Sequence, residues 1–389
     1  MRLLNMAAMG AAMVLGLAAY AGADTQGVSD TEIVLGSHQD LSGPINFFGV
    51  PMKNGLEMAA DEINAAGGIH GRMIRVVVED SAYDPKKAVL ATQKLINRDK
   101  IFAMIASLGT PTSAASMPLV LKNGLPHLFP MSPADLFFKP HDALKFGYFS
   151  PYYDMMRSGV RHLVEQNGYT KVGILYQDDG YGEIIRAGVA DQLAAMNMAL
   201  VSETTYKRGA TDFATQIAKL RSDGADLVTL GTVIRETVGA VKTARAMGWE
   251  VDFLVSGAGY AQTVAALGGE AMNGLYGIGQ TPIPYADTAS PEVRAWMKRY
   301  EERFGVAASI EAAYTYDAVY LFAAGARNAG PDLTAQSLVA GLEQISGYQD
   351  IFGGPPVSFS ADSHLPRDQG FIAQIENGRW MMKSGILSY

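Results

Sequence analysis

The sequence predicts an α/β protein of two lobes, each a doubly wound parallel sheet, joined by three hinge crossings of the chain. Strand-like and helix-like segments alternate along most of the chain, and such alternation is typical of parallel sheets covered by helices. The alternation restarts after Tyr152 and Tyr153, which indicates two successive units. A chain of 389 residues is also too long for one ordinary domain.

The first run contains four strand-like segments separated by helical ones. Met52, Leu56, Ala59 and Ile63 share one helical face, and the glycine pair at 67–68 ends that helix. Strands are therefore expected at 33–36, 75–78, 102–105 and 126–129, and helices at 51–66, from 85 onward and at 112–122.

The second run repeats the pattern, with apolar β-branched strands between amphipathic helices. Strands are expected at 172–176, 199–206, 227–230 and 253–255, and helices around 160–168 and at 182–195, 212–222 and 235–247. Segments 148–152 and 279–284, which are rich in proline, tyrosine and glycine, are expected to cross between the lobes.

The remaining elements complete both lobes. Helices at 291–304 and 312–326 should return to the first lobe. The turn-rich tail at 352–380 alternates like a hairpin, with Val357 and Phe359 followed by Phe371 and Ile375, and should rejoin the second lobe. The expected organisation is residues 24–150 plus 280–350 for lobe 1, and 151–279 plus 351–389 for lobe 2.

The first 23 residues read as a secretory signal peptide. Arg2 is the only charge before an apolar run from Met6 to Ala19, and Ala21-Gly22-Ala23 forms a small-x-small cleavage site. A lipoprotein would need a cysteine at the cleavage point, and the chain has none. We therefore expect an exported, soluble protein without a lipid anchor, located in a Gram-negative periplasm.

Composition excludes several classes of function. Asp and Glu number 39 against 31 Lys and Arg, with the charges interspersed, which argues against nucleic acid or an anionic membrane surface as a partner. The six histidines have no metal-ligand spacing, and no phosphate loop, G-x-S-x-G or H-E-x-x-H motif occurs. We therefore expect no enzyme activity, no cofactor and no metal. We also expect the protein to be a monomer.

Two loops at predicted strand ends are the candidate binding segments, because open parallel sheets bind ligands there. Segment 107–112 follows the third strand and opens a helix, whose free N–H groups together with the Thr110 hydroxyl suit a carboxylate. An ordinary helix cap is the alternative reading. In segment 177–182, Tyr181 could lay its ring over a ligand from the other lobe, or serve only as an aromatic beside a turn.

Several ordered motifs resemble the type I periplasmic solute-binding proteins of ATP-driven (ABC) uptake systems, in the branched-chain amino acid (Leu/Ile/Val) branch. The resemblance covers nearly the whole mature chain. It rests on Leu41-Ser42-Gly43-Pro44, Phe48-Gly49, the segments 60–72 and 78–80, Tyr83-Asp84-Pro85, the segment 176–182 and Thr211-Asp212-Phe213. It implies two lobes that close on a small-molecule ligand by hinge bending and present it to a membrane ABC permease.

The resemblance also implies the residues of the site. Thr110 takes the position of the hydroxyl that binds the ligand carboxylate, within the segment Leu108-Gly109-Thr110. The other implied or neighbouring positions are Phe48, Met131, Ser132, Tyr152, Tyr181, Thr232 (or Val233), Ala258 and Tyr260.

Two departures from the family pattern bear on the ligand. Ala258 stands where amino acid binders place an acidic partner for the ligand ammonium, and Pro133 replaces a usual threonine. A buried ammonium without a partner costs several kcal/mol. We therefore expect a small carboxylate, aromatic or otherwise lacking an amino group, unless Asp178 or Asp179 substitutes.

Other ligands and one other activity stay open. Branched-chain amino acids and short amides are ligands within the same family. An exported hydrolase on this scaffold is the alternative from another class, with Asp178 and Asp179 as its nearest candidate carboxylates.

Overall fold

The computed structural model describes residues 25–388, and the predicted signal peptide at 1–23 lies outside them. Within these residues two sheets form, each covered by helices, as the alternation predicts. Strands and helices are numbered in chain order.

The first sheet has five parallel strands in the order β2-β1-β3-β4-β5. They are β1 (Glu32–Gln39), β2 (Met73–Asp80), β3 (Ala103–Ile105), β4 (His127–Leu128) and β5 (Lys145–Phe146). The helices between them are α1 (Asn46–Ala65), α2 (Pro85–Asn97) and α3 (Thr110–Lys122). Because β1 and β3 are adjacent and parallel, the starts of α1 and α3 lie at the same edge of the sheet.

The second sheet has the order β12-β11-β10-β9-β8-β6-β7, with β13 paired to β11. Its strands are β6 (Val172–Gln177), β7 (Ser202–Tyr206), β8 (Leu227–Gly231), β9 (Asp252–Val255), β10 (Tyr276–Gly279), β11 (Gln369–Glu376), β12 (Arg379–Met382) and β13 (Leu387–Ser388). The strands from β6 to β10 are parallel, whereas β11 and β12 form an antiparallel hairpin on its edge. Its helices are α4 (Tyr152–Asn167), α5 (Gly180–Ala195), α6 (Ala214–Ser222), α7 (Ile234–Ala246) and α8 (Gln262–Gly268).

Three further helices return to the first lobe: α9 (Pro291–Phe304), α10 (Ile310–Ala329) and α11 (Ala335–Glu343). Helix α10 packs against α1 and α11. Gly55 permits the close approach of α1 and α10, since a Cβ there would lie 2.2 Å from the carbonyl oxygen of Ala312. The Thr315 hydroxyl donates to the Met52 carbonyl oxygen at 2.7 Å and joins the same two helices.

The chain crosses between the sheets after β5, after β10 and before β11. Hydrogen bonds tie these crossings together at Ser150, whose backbone N–H donates to Gln280 Oε1 at 2.9 Å. The Ser150 hydroxyl donates to the Gln369 carbonyl oxygen at 2.7 Å. Ser150 therefore contacts both other crossings.

The sequence expectations miss several details. Helix α1 begins at Asn46, before Pro51, so that proline lies inside the helix instead of starting it. Strands β5, β10 and β13 and helices α8 and α11 have no counterpart in the expectations. Val357 and Phe359 are outside the β11–β12 hairpin, and Val357 makes only an isolated bridge with Tyr348. Nearby prolines at 355 and 356 explain this, since they have no N–H for a ladder.

The lobe boundaries remain a proposal, with one adjustment. Phe359 lies with its ring centre 5.1 Å from Phe146 on β5 and 6.0 Å from Phe129, which directly follows β4. His364 stacks on Phe146 at 3.7 Å. We therefore propose that lobe 1 continues to about residue 366 and that the third crossing lies at 367–369.

Candidate functional site

A cavity between the two sheets encloses about 750 Å³ of empty space, including the space at its open mouth. Nine of the residues expected at a site line it: Phe48, Leu108, Gly109, Thr110, Met131, Tyr152, Tyr181, Ala258 and Tyr260. Ser132 and Thr232 do not line it, and each forms a hydrogen bond just behind the wall. Val233, the alternative to Thr232, does line the cavity.

The first wall is the start of α3. Gly109, the residue before the helix, has φ 91°, and a Cβ there would lie 2.6 Å from Cε2 of Tyr83. Both the backbone conformation and the packing therefore require glycine. Thr110 follows, with its hydroxyl 2.6 Å from that of Ser132, so Ser132 orients the hydroxyl from behind. The N–H groups of Thr110 and Thr112 have no partner inside the helix and favour an anion, whereas the proline between them has no N–H.

Aromatic side chains form most of the remaining wall. Tyr152 and Tyr181 meet edge to face with ring centres 5.2 Å apart. The Tyr181 hydroxyl lies 3.0 Å from the Thr232 carbonyl oxygen and 2.7 Å from the Ser256 hydroxyl, so the ring is held in place. Burial raises the pKa of Tyr181 well above its usual value, and both tyrosines stay neutral at physiological pH.

Two polar residues of the lining were not expected from the sequence. Glu311, near the start of α10, is 2 % exposed, and its Oε1 has no hydrogen-bond partner. Gln280, just after β10, is 3 % exposed and has an unpartnered Nε2. Burial raises the pKa of Glu311, which favours its neutral form; its own backbone N–H and the Ser309 hydroxyl oppose the shift in part.

A sequence signal for Glu311 existed. It is the single charged residue between Arg303 and Asp317, inside an apolar helical segment. Tyr83, Phe149 and Tyr314 also line the cavity and were not expected. Tyr83 follows the carboxyl end of the parallel strand β2, where the strand-end rule could have found it, whereas Phe149 belongs to the first crossing and Tyr314 to α10.

Asp178 and Asp179 do not line the cavity. Asp178 forms an ion pair with Lys207. Asp179 caps α5 by accepting from the Tyr181 backbone N–H at 3.0 Å, and it also accepts from Gln177 Nε2 at 2.7 Å. Both carboxylates are therefore engaged outside the cavity, and neither faces a ligand within it.

The two lobes touch each other around the mouth of the cavity. Gln177 Nε2 donates to the Tyr83 hydroxyl at 3.2 Å, across the gap between the sheets. The Arg235 guanidinium, from α7, lies 4.8 Å from the centre of the Phe47 ring on α1. These contacts join residues of opposite lobes, so the structure is a closed form.

Two lobes closed around a mostly apolar cavity, with the chain crossing between them three times, define a hinged solute-binding protein. The family model described as periplasmic binding protein matches residues 32–379. The chain therefore belongs to the periplasmic binding protein family.

Relatives and solved structures agree with this assignment. The chain is 24 % identical over 303 residues to Leu/Ile/Val-binding protein homolog 8 of Brucella suis, covering 75 % of this chain and 74 % of that one. A branched chain amino acid ABC transporter structure from Thermus thermophilus with bound valine has a TM-score of 0.84 at 16 % identity, covering 93 % and 98 %. A fatty acid ABC transporter substrate-binding protein from Thermomonospora curvata has a TM-score of 0.83 at 20 % identity, covering 94 % and 95 %.

Two further observations apply to residues 25–388. No group of three or more His, Cys, Asp or Glu side chains is placed to hold a metal ion there. Every helix in this part of the chain is too short or too polar to cross a lipid bilayer.

Proposed function

We propose that the protein captures a small carboxylate without an amino group, aromatic or otherwise apolar, and delivers it to an ABC permease. The observation that carries this proposal is the Thr110 hydroxyl at the start of α3, which Ser132 contacts from behind, beside an apolar and aromatic cavity. The helix start and the hydroxyl favour a carboxylate, and the ring-lined remainder favours an apolar body.

Ala258 supports a ligand without an ammonium group. It lines the cavity at the position where the family resemblance places an acidic partner, and a methyl group offers no charge. Among the described lining residues Glu311 is the one carboxyl, and it comes from α10 in the other lobe. An ammonium placed beside Ala258 would be left without a partner, at a cost of several kcal/mol.

Branched-chain amino acids are the second candidate. The names of the Brucella relatives and the valine bound in the Thermus thermophilus structure favour them. The fatty acid binder from Thermomonospora curvata, whose structure is about as similar to this chain, favours a carboxylate without an amino group. Short amides are the third candidate from the family resemblance. An exported hydrolase lacks support, because Asp178 and Asp179 are held in contacts outside the cavity.

The remaining parts of the proposal concern location and assembly. Export by the predicted signal peptide at 1–23 would place the protein, as a monomer, in the periplasm. Closure of the lobes on the ligand would create the surface that the permease recognises, because only the closed form brings both lobes into one fixed arrangement.

A ligand screen tests the proposal. The purified mature protein is heated with aromatic acids, short fatty acids, branched-chain amino acids and amides, and calorimetry measures the affinity of each compound that raises the melting temperature. We expect a carboxylate without an amino group to bind most tightly. Tighter binding of leucine, isoleucine or valine would contradict this proposal and support the second candidate. Turnover of a bound compound would support the hydrolase.

Transport requires a separate test in cells. Deletion of the gene from its host should abolish uptake of the radiolabelled compound identified in the screen, and expression of the protein should restore it. Uptake that persists without the gene would argue against delivery to a permease.

A further inference from the structure

We propose that Gln280 and Glu311 form a second polar subsite in the cavity and that it binds a hydroxyl group on the body of the carboxylate ligand. This inference rests on the proposed function and narrows the ligand to a hydroxy-carboxylate. The two side chains are nearly fully buried, both line the same cavity, and each has an atom without a protein partner. Buried polar groups in native proteins have partners, so a partner is expected from the ligand.

The orientation of Gln280 is fixed by its neighbour. Its Oε1 accepts the backbone N–H of Ser150 at 2.9 Å, which leaves the NH₂ group unpartnered. A backbone N–H can only donate, so the amide oxygen must face Ser150 and the nitrogen must be the free atom. Gln280 therefore offers the cavity a hydrogen-bond donor.

Glu311 supplies the complementary group. Its Oε1 is unpartnered and accepts a hydrogen bond whether the carboxyl is ionised or neutral. Glu311 comes from α10, whereas Thr110 comes from the start of α3, so the acceptor and the carboxylate anchor are supplied by different elements.

The combination of one donor and one acceptor favours a hydroxyl over an ammonium. A hydroxyl accepts from the Gln280 NH₂ and donates to Glu311, which satisfies both groups. An ammonium has three donors and no acceptor, so the Gln280 NH₂ group would stay unpartnered. The partial positive charge of that NH₂ group would also face the positive charge of the ammonium. A ligand without either group would leave both protein atoms unpaired, which penalises its binding.

Matched pairs of carboxylates test the subsite. Calorimetry compares benzoate with 4-hydroxybenzoate, cinnamate with 4-hydroxycinnamate, and hexanoate with 6-hydroxyhexanoate, with leucine as the ammonium-bearing probe. For at least one pair we expect the hydroxylated member to bind roughly ten-fold or more tightly than its parent. Equal affinities within every pair that binds would overturn the subsite.

Variants assign the effect to the two residues. Glu311→Leu and Gln280→Leu should each remove the preference for the hydroxylated member, because each takes away one of the two groups that pair with the ligand hydroxyl. Glu311→Gln keeps a neutral acceptor and should retain most of the preference, which also covers the case in which the leucine variant fails to fold. An equal loss for both members of a pair would contradict a role in recognition.

Glu236→Gln is the matched control. Glu236 is likewise 2 % exposed in the first turn of a helix and has an unpartnered carboxyl oxygen, but it does not line the cavity. Its substitution should leave the preference unchanged. Tight leucine binding that is lost in Glu311→Gln would assign Glu311 to an ammonium and overturn the hydroxyl. If none of the carboxylates binds, the proposed function itself is contradicted.

Discussion

Arg208, in the loop after β7, donates a hydrogen bond from Nη1 to the backbone carbonyl oxygen of Tyr83, across 3.2 Å. Its guanidinium also lies 5.7 Å from the centre of the Tyr83 ring. Tyr83 belongs to the loop after β2, so the two residues join the two sheets at the cavity. Opening of the hinge would separate them, and the contact therefore stabilises the closed form alone.

Arg208→Ala should weaken ligand affinity by about three- to ten-fold, because a partly exposed contact of this kind contributes ~1 kcal/mol. The loss should be found mainly in a faster dissociation rate, since the contact forms when the lobes close. Stopped-flow measurement of dissociation checks this.

Arg186→Ala is the control for Arg208→Ala. Arg186 forms an ion pair with Glu203 within the second lobe and makes no contact with the first among its hydrogen bonds. Its substitution should leave the dissociation rate unchanged. An equal increase of the ligand dissociation rate in both variants would contradict a specific role of Arg208 in closure of the lobes.

Thr110→Val tests the carboxylate anchor. The substitution keeps the volume of the side chain but removes the hydroxyl that Ser132 orients at 2.6 Å. Loss of one hydrogen bond to a charged group should weaken affinity by about 1–3 kcal/mol without unfolding the protein. Calorimetry measures the affinity, and the melting temperature monitors the fold.

Thr243→Val is the matched control for that experiment. The Thr243 hydroxyl donates to the Gly239 carbonyl oxygen within α7, outside the cavity lining. The affinity of the Thr243→Val variant for the ligand should equal that of the unsubstituted protein. Unchanged affinity in Thr110→Val would exclude that hydroxyl from the carboxylate site.

Arg367 forms the centre of a buried charge network beside the third crossing. Its Nη2 lies 3.4 Å from Asp350 Oδ2 and 3.7 Å from Asp317 Oδ2, and its side chain is fully buried. Asp317 also accepts hydrogen bonds from the hydroxyls of Tyr148 at 2.7 Å and Tyr348 at 2.8 Å. This arrangement fastens α10 to the first and third crossings.

Arg367→Met should lower the free energy of unfolding by roughly 3–5 kcal/mol, because it leaves two buried carboxyl groups without their cation. Urea denaturation measures the loss. Arg379→Met removes an exposed ion pair with Asp287 and should cost less than about 1 kcal/mol. Similar losses for the two variants would show that the buried network has no special stabilising role.

The sequence predicts those elements whose local signals are complete. Helix α9 is predicted at its observed bounds, since Ser290 caps its first turn, Pro291 starts it and Gly305 ends it in the left-handed conformation. Strand β5 was missed because two residues, Lys145 and Phe146, cannot show a hydrophobic period. Its position is set by pairing with β4, which is a tertiary contact.

The same distinction explains which residues of the cavity lining the sequence predicts. Residues after strands, such as Thr110 and Tyr181, were found because the ends of parallel strands meet at one edge of a sheet. Gln280 also follows a parallel strand, but β10 was not expected from the sequence, so the rule could not be applied there. Glu311 belongs to a returning helix, whose place beside the cavity depends on how the lobes pack, and that packing has no periodic signature in the sequence.

Two buried histidines predict a loss of stability in acid. His38 on β1 and His127 on β4 are fully buried, and each has an unpartnered Nδ1. Burial lowers the pKa of His38 to about 4. Burial, together with the charges of His38 and Lys145, lowers the pKa of His127 to about 3. Both therefore stay neutral in the folded protein below pH 6.5, where the unfolded chain takes up protons.

The sign follows from proton uptake. Because the unfolded state binds more protons below about pH 6.5, the free energy of unfolding falls as the pH drops toward the folded-state pKa values. The loss between about pH 7 and about pH 5 should be roughly 2 kcal/mol for each histidine. Asp317, whose pKa burial raises to about 6, acts in the opposite direction, so the variant must be compared with the unsubstituted protein at each pH.

His38→Gln should keep a polar contact to the Ser116 hydroxyl, which lies 3.0 Å from His38 Nε2, while removing the titrating ring. Urea denaturation across this pH range should show that the variant loses about 2 kcal/mol less than the unsubstituted protein. His70→Gln, at an exposed position, provides the control and should follow the curve of the unsubstituted protein. If His38→Gln follows that curve too, the buried ring is not a source of acid sensitivity, and the contribution of His127 must be measured in its own variant.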